Sequence, residues 1–446
     1  MGVQLRPYQQ EIYDKARVAF VTGAKGVCCV LPCRSGKSYI MAKMIENARG
    51  PVLVLAHRNH LIKQHIELLS QLRIYTEKVR VESVFTEARH LRDDAPCMII
   101  IDEAHLSEAS SYRKVCEHYN SKVVGFTASP ARLDGKPLTL FDTLITGITA
   151  QKLIEQGNIS AYDYYAPDLG IDTDNVEMVA GEYNNGQLSE LMCESAIYGD
   201  VLKYYRELGE NRQAIAYCTS IKHSQKVANM FNENGISAVS IDGGMSQKER
   251  AKRMELFTSG KVMILANCNL ISEGITLPNA SVGLLLRPTC SLPLFIQQSC
   301  RVLTPVEGKK AVIIDFVNNV QRHGLPTEEH QWSLGEPIKK RNQFNEDGTL
   351  VIKQCEQCFR CYQGKRCPYC GAIHIPKGRE LKQIKDVELQ KIETIQRETE
   401  EQQRRSARRE QASARTYEDL VKLATNRGYK NPKAWAYFIM KGRGHG

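Results

Sequence analysis

The 446-residue sequence contains no run of about 18 apolar residues, and it lacks the basic-then-apolar opening of a secretory signal. A membrane-spanning helix is therefore not expected, and the cytoplasm is the expected compartment. Extremes of composition are missing too. Apolar residues make up 42% and charged residues 25%, the globular average, which argues against wholesale disorder and against a fibrous protein. A disulfide framework is not suggested either. Ten of the 15 cysteines are scattered singly or in pairs, Cys28, Cys29, Cys97, Cys218 and Cys268 among them, in apolar segments suited to reduced core thiols. Net charge is nearly absent before residue 338, where 36 Lys/Arg face 37 Asp/Glu, whereas the remainder carries 24 against 13. Such asymmetry points to a polyanion, although basic tails also serve solubility.

What is present is a repeated alternation. Short apolar runs occupy residues 27–31, 52–56, 97–101 and 122–126, then 213–218, 238–241, 262–266, 282–286 and 311–316. Separated by helical patterns, runs of this length read as buried parallel strands in βαβ units. At roughly 150 residues per domain the length allows two or three domains. The pattern predicts a first α/β domain over 1–150, a connecting segment over 151–210 and a second α/β domain over 211–337. Within the last span, residues from 321 onward are polar and aperiodic, as a linker would be.

After the first run comes Pro32-Cys33-Arg34-Ser35-Gly36-Lys37-Ser38 and then an apolar-periodic helix. Strand, tight loop, Gly-Lys-Ser and helix is the context of a phosphate loop. Backbone N–H groups cradle the phosphates, Lys37 reaches the β- and γ-phosphates, and Ser38 ligates Mg²⁺. The pattern is imperfect, because Leu31 stands at the first glycine position. The run at 97–101 leads into Asp102-Glu103-Ala104-His105. A carboxylate pair at the end of a buried strand is costly unless a cation or proton transfer keeps it there. Asp102 is expected to hold Mg²⁺ through water, and Glu103 to polarise the attacking water of an ATPase.

With these residues on the page, the sequence resembles a superfamily 2 helicase with a DEAH box, over almost the whole chain up to about residue 317. Leu5-Arg6-Pro7-Tyr8-Gln9 resembles the adenine-reading element, which gives Gln9 the base edge. Val54-Leu55-Ala56-His57-Arg58 resembles motif Ia, and Thr127-Ala128-Ser129-Pro130 resembles motif III. Tyr217-Cys218-Thr219-Ser220 is similar to motif IV, Ile271-Ser272-Glu273-Gly274-Ile275 to motif V, and Gln297-Gln298-Ser299-Cys300-Arg301 to motif VI. The resemblance implies two RecA-like doubly wound parallel-sheet domains in tandem. It also implies ATP binding by Gln9, Arg34, Ser35, Gly36, Lys37, Ser38, Asp102, Glu273 and Gly274. Catalysis would fall to Lys37, Asp102, Glu103, Gln297 and Arg301, and nucleic-acid contact to His57, Arg58, Thr127, Ser129, Thr219 and Ser220. Two departures stand out. Arg34 replaces a loop glycine, at a cost of roughly 1–2 kcal/mol if its φ is positive. Cys300 replaces the motif VI glycine, and Thr304 the second arginine. Arg301 is therefore expected to serve as the arginine finger, with Arg34 as the alternative.

Five cysteines crowd into Cys355-Glu-Gln-Cys358-Phe-Arg-Cys361-Tyr-Gln-Gly-Lys-Arg-Cys367-Pro-Tyr-Cys370. Two C-x-x-C knuckles suit Zn²⁺, with Cys355, Cys358, Cys367 and Cys370 as ligands and Cys361 or His374 as substitutes. A zinc ribbon is predicted over 338–376 and a basic helical extension over 377–446. Arg404 and Arg408 share a helix face there that grips DNA, is simply solvated, or serves self-association. Residues 416–443 read as a helical hairpin.

The expectation is an ATP-dependent DNA helicase or translocase, monomeric, acting on duplex or branched DNA without a membrane. Its nearest likeness is to bacteriophage branch-migration helicases related to UvsW and RecG. An RNA helicase and a nucleic-acid-binding protein with a decayed ATPase are the alternatives.

Overall fold

The computed structural model describes residues 2–130, 132, 136–167, 176–179, 182–193, 195–268, 277–335, 351–355, 357–364, 366–372, 414, 416–426 and 432–443. The first lobe contains, in chain order, β1 (Gly26–Val30), β2 (Val52–Ala56), β3 (Val79–Ser83), β4 (Met98–Asp102), β5 (Lys122–Thr127) and β6 (Thr143–Thr146). They form one parallel sheet in the order β3-β2-β4-β5-β1-β6. Along β1, Val27 and Cys29 enter one core and Cys28 and Val30 the other. Val52 and Val54 of β2 likewise oppose Leu53 and Leu55. A strand covered on both faces needs apolar residues at every position, which is why these strands read as continuous runs.

The second lobe adds β7 (Tyr162–Tyr165), a short antiparallel pair β8 (Met178–Val179) and β9 (Glu182–Tyr183), then β10 (Ala214–Tyr217), β11 (Ala238–Ile241), β12 (Ile264–Asn267), β13 (Val282–Leu285) and β14 (Ala311–Asp315). Its parallel sheet runs β11-β12-β10-β13-β14-β7. This corrects the reading of 151–210 as a connection. Tyr162–Tyr165 is an edge strand of the second sheet, in register with Ala311–Ile314. Tyr164 is buried there and its hydroxyl donates to Asp315 Oδ2 at 2.8 Å.

The stretch after the second lobe is not a free linker in its described part. Trp332 and Leu334 pack against the first lobe, and Leu334 accepts a backbone bond from Leu138 at 2.9 Å. The cysteine-rich segment forms an antiparallel pair, β15 (Ile352–Gln354) and β16 (Cys361–Gln363). Ile352 and Cys361 are buried in the core of the second lobe with Tyr164. Asp163 Oδ1 pairs with Lys310 at 2.7 Å and with Arg360 at 3.0 Å, fixing this segment to β7.

The chain divides into two units, residues 1–374 and 375–446. In the second, the helices Tyr417–Asn426 and Pro432–Arg443 pack on each other with Leu420, Ala424 and Ala436 buried. Thr416 and Asp419 bond reciprocally at 3.1 and 3.3 Å, closing a capping box at the first of them. Among the described residues no helix is long and apolar enough to cross a membrane.

Candidate active site

The loop after β1 ends in Gly36 at φ +78° and opens the helix Lys37–Glu46. The φ of Gly36 lies in the left-handed region that favours glycine, and a Cβ there would also displace Gln9 Nε2, 2.5 Å away. Gln9 Nε2 donates to Ser35 O at 2.9 Å and Gln9 Oε1 accepts from Arg6 N at 2.9 Å. Gln9 thus braces the loop. Ser35 is buried, and Arg34 takes φ +66°. The helix N-terminus and the loop form a natural anion seat.

A cavity of about 430 Å³ opens on this loop. The first lobe lines it with Arg34, Gly36, Lys37, Ser38, Asp102 and Glu103, and the second with Gln297, Cys300 and Arg301. Lys37 Nζ folds back on Leu31 O and Pro32 O at 3.4 and 3.3 Å. Burial, and then the nearby Arg301, push the Arg34 guanidinium down to about 10. The thiol of Cys33 is held at about 6 by its hydrogen bond with Cys300, against burial, with Lys37, Arg301 and Arg34 adding to the effect. Cations from both lobes therefore converge on one space, an arrangement that favours a polyanion.

The acidic wall is equally built. Burial would raise the Asp102 carboxyl, but the hydrogen bond from His65 and the charges of His65 and Lys37 hold it below its ordinary value. His65 Nε2 lies 2.9 Å from Asp102 Oδ2, and Glu103 N donates to Asp102 Oδ1 at 3.0 Å. Glu103 takes φ +55°, a strained conformation that persists only where its surroundings fix it. His105 Nδ1 stands 3.5 Å from Glu103 Oε2 and 3.2 Å from Thr127 Oγ1. Asp102, a buried carboxylate held in its ionised form, lines the same cavity as Ser38, and the two fit a Mg²⁺ site.

Not every expected residue lies where it was expected. Thr127, Ser129 and Thr219 are buried, so direct contact of these side chains with a strand is corrected. Thr127 Oγ1 donates to Ser129 O at 2.8 Å, and Thr219 Oγ1 bonds His223 Nδ1 at 2.9 Å. Ser220 caps the helix Ile221–Glu233 by accepting from His223 N at 3.1 Å. His57 and Arg58 sit half-buried in the loop after β2, outside the cavity lining, with Arg58 Nε donating to His57 Nε2 at 3.2 Å. Glu273, Gly274, His374, Arg404 and Arg408 lie outside the described residues.

Sequence reasoning passed over His65. It shares the buried face of the helix Asn59–Gln71 with Leu61 and Leu69, and a histidine on an apolar stripe at i, i+4, i+8 spacing was the available signal.

In the cysteine segment the sulfurs of Cys355, Cys358, Cys367 and Cys370 lie within 4.8 Å of one another. The pairs Cys355–Cys370 and Cys358–Cys367 are 3.5 and 3.6 Å apart. The Cys361 thiol is instead buried in the second lobe, with burial pushing it up to about 12. Cys361 is an anchor rather than one of the clustered thiols.

Comparisons with known proteins agree with this geometry. The family model described as "Type III restriction enzyme, res subunit" matches residues 2–84 and 74–132, and "Helicase conserved C-terminal domain" matches 197–304. The chain is 34% identical over 372 residues to a "51.5 kDa protein" of Lactococcus phage (isolate 7-9), covering 81% of each. It is 28% identical to a Saccharomyces cerevisiae protein named as an ATP-dependent helicase, IRC3, over 70% of this chain and 51% of that protein. Among solved structures, "ATP-dependent Type ISP restriction-modification enzyme LlaBIII bound to DNA" gives a TM-score of 0.53 at 16% identity, over 71% of this chain and 28% of that one. The chain thus spans about half of the yeast relative and under a third of the restriction enzyme, and the latter likeness is one of fold.

Proposed function

The chain belongs to the superfamily 2 helicases, ATP-dependent nucleic-acid motors, and from that premise we propose that it unwinds or branch-migrates forked and junction DNA in replication, recombination or repair. The observation that carries this reading is the cavity in which cations of both lobes, Arg34 and Lys37 from the first and Arg301 from the second, face the acidic pair Asp102 and Glu103. Lys37 and the loop N–H groups would hold the β- and γ-phosphates of ATP, with Arg34 and Arg301 beside the terminal one. Ser38 and Asp102 would hold Mg²⁺, which would supply positive charge to offset that of the phosphates. Glu103 orients the attacking water, and His105 links it to Thr127 and so to the segment that follows β5. Arg301 and Gln297 reach the terminal phosphate from the second lobe. ATP binding draws the lobes together and hydrolysis releases them, so a strand lying across both is gripped and let go in turn. Contact mainly through phosphates makes such movement nearly blind to base sequence.

Cys355, Cys358, Cys367 and Cys370 would hold a structural Zn²⁺. Zn–S bonds of about 2.3 Å in a tetrahedron set sulfurs about 3.8 Å apart, near the two short pairs above. Of the four, Cys355 is the one whose neighbours favour a thiolate, whereas burial pushes Cys358 up to about 12. Burial opposes it at Cys355, but N–H groups of Cys358 and Gln357 and the Cys370 thiol bring that residue to about 7. The protein would act as a monomer, and the phage relative fits work in a host cytoplasm.

The test is ATP turnover and strand displacement on forks, four-way junctions, plain duplex DNA and duplex RNA, with Lys37→Ala as control. Stimulation and remodelling by branched DNA are expected, both lost in the control. Stimulation by RNA alone would overturn the DNA assignment.

A further inference from the structure

The two cysteine knuckles repeat one backbone device. In each, the residue after the second cysteine takes a left-handed conformation: Gly371 at φ +79° and Phe359 at φ +59°. Glycine adopts this region freely, whereas a side chain with a Cβ is strained there. The chain keeps phenylalanine where its own second knuckle uses glycine. Packing does not account for the choice, since the Phe359 ring is 54% exposed and joins none of the core clusters. The second knuckle exposes an aromatic as well, Tyr369, at 44%.

A guanidinium joins the two. Arg360, next to Phe359, lies over the Tyr369 ring at 5.2 Å and is held by Asp163 of β7 at 3.0 Å. Residues 351–372 carry four Lys/Arg against one Asp/Glu. Lys353 is buried, so among the described residues the cations near this surface are Arg360, over the Tyr369 ring, and the exposed Arg366; rings beside them match a ligand with flat π-faces and a negatively charged backbone. Unpaired bases have both, and stacking on aromatics tolerates any base.

We propose that Phe359 and Tyr369 form a stacking platform for unpaired bases of single-stranded DNA, carried on the second lobe. The choice of DNA rests on the motor reading above; the stacking chemistry does not. Because Ile352, Cys361 and Arg360 fix this segment to the second lobe, a base held on the platform travels with that lobe as the cleft opens and closes.

The test uses the full-length, zinc-loaded protein and fluorescence anisotropy with labelled oligothymidylate and with blunt duplex DNA, in the absence of ATP. Phe359→Gly relieves the strained backbone, so its melting temperature should equal or exceed that of the wild type. Its affinity for oligothymidylate should nonetheless fall about 5- to 150-fold, the range for one lost base–aromatic stack. Duplex affinity and zinc content should hold. Tyr369→Leu should weaken oligothymidylate binding in the same sense. Unchanged oligothymidylate binding in both variants overturns the proposal and leaves the rings to a protein partner. An equal loss on duplex and single strand overturns it as well, by pointing to a general binding surface. Wild-type ATP turnover stimulated by DNA, measured on the same preparation, separates failure of the platform from failure of the motor reading.

Discussion

Arg34 and Glu103 both hold positive φ, at +66° and +55°, and both line the cavity between the lobes. Strain of this kind persists where a site needs a particular side-chain direction. The resemblance, which sets Arg34 where the family loop has glycine, made strain there an expectation conditional on a positive φ, and the backbone meets that condition. The convergence of Arg34 with Arg301, 267 positions later in the chain, depends on how two separate sheets meet, which no local pattern encodes. Burial was the other blind spot. Thr127, Ser129 and Thr219 are residue types suited to binding a phosphate backbone, but the hydroxyls of Thr127 and Thr219 are spent on neighbouring protein atoms and Ser129 is buried. In the proposed mechanism Arg301, which lines the cavity from the second lobe, is the residue on which the chemistry would turn. Arg301→Ala should lower the single-turnover hydrolysis rate by about 10³-fold while nucleotide binding, which Lys37 and the loop support, changes far less. Rapid-quench measurement with labelled ATP checks this. A rate near wild type would move the finger role to Arg34.

At the scale of elements, strands buried on both faces were legible and most edge strands were not. β3 (Val-Arg-Val-Glu-Ser), β6 (Thr-Leu-Ile-Thr) and β7 (Tyr-Asp-Tyr-Tyr) each close one side of a sheet. An edge strand carries polar residues that an interior strand cannot, so it leaves no continuous apolar run. β11, an edge strand with the sequence Ala-Val-Ser-Ile, kept enough apolar character to be seen. The cysteine knuckles were legible from spacing, but their attachment was not: Cys361 reads as a spare ligand until Tyr164 and Ile352 are placed around it. This attachment predicts a long reach for metal loss. A segment so small has little core of its own, so a bound metal supplies its folding energy. Cys358→Ser, or a chelator, should unfold the knuckles and withdraw Ile352 from the second lobe, a loss of about 2–4 kcal/mol for a large aliphatic residue. Denaturant titration alongside zinc analysis checks both the stoichiometry and the drop.

For the whole molecule, the division at residue 374 says where the motor can be cut. Removing everything from residue 351 would strip Ile352 and Cys361 from the second-lobe core and Arg360 from Asp163, and should destabilise the ATPase itself. A chain ending at residue 374 keeps those contacts and both walls of the cavity. It loses 17 Lys/Arg and 10 Asp/Glu, and with them +7 of the net charge of +10. Each phosphate neutralised by a lysine or arginine adds about 0.9 to the salt slope of binding to duplex DNA. The shortened chain should therefore fold, hydrolyse ATP when DNA is saturating, bind DNA more weakly at physiological salt, and give a shallower plot of log affinity against log salt. Measuring DNA-stimulated turnover and anisotropy over a salt series on the two chains checks this. An unchanged slope would mean that the basic extension stays in solvent, and that the grip on DNA belongs to the lobes and the knuckles alone.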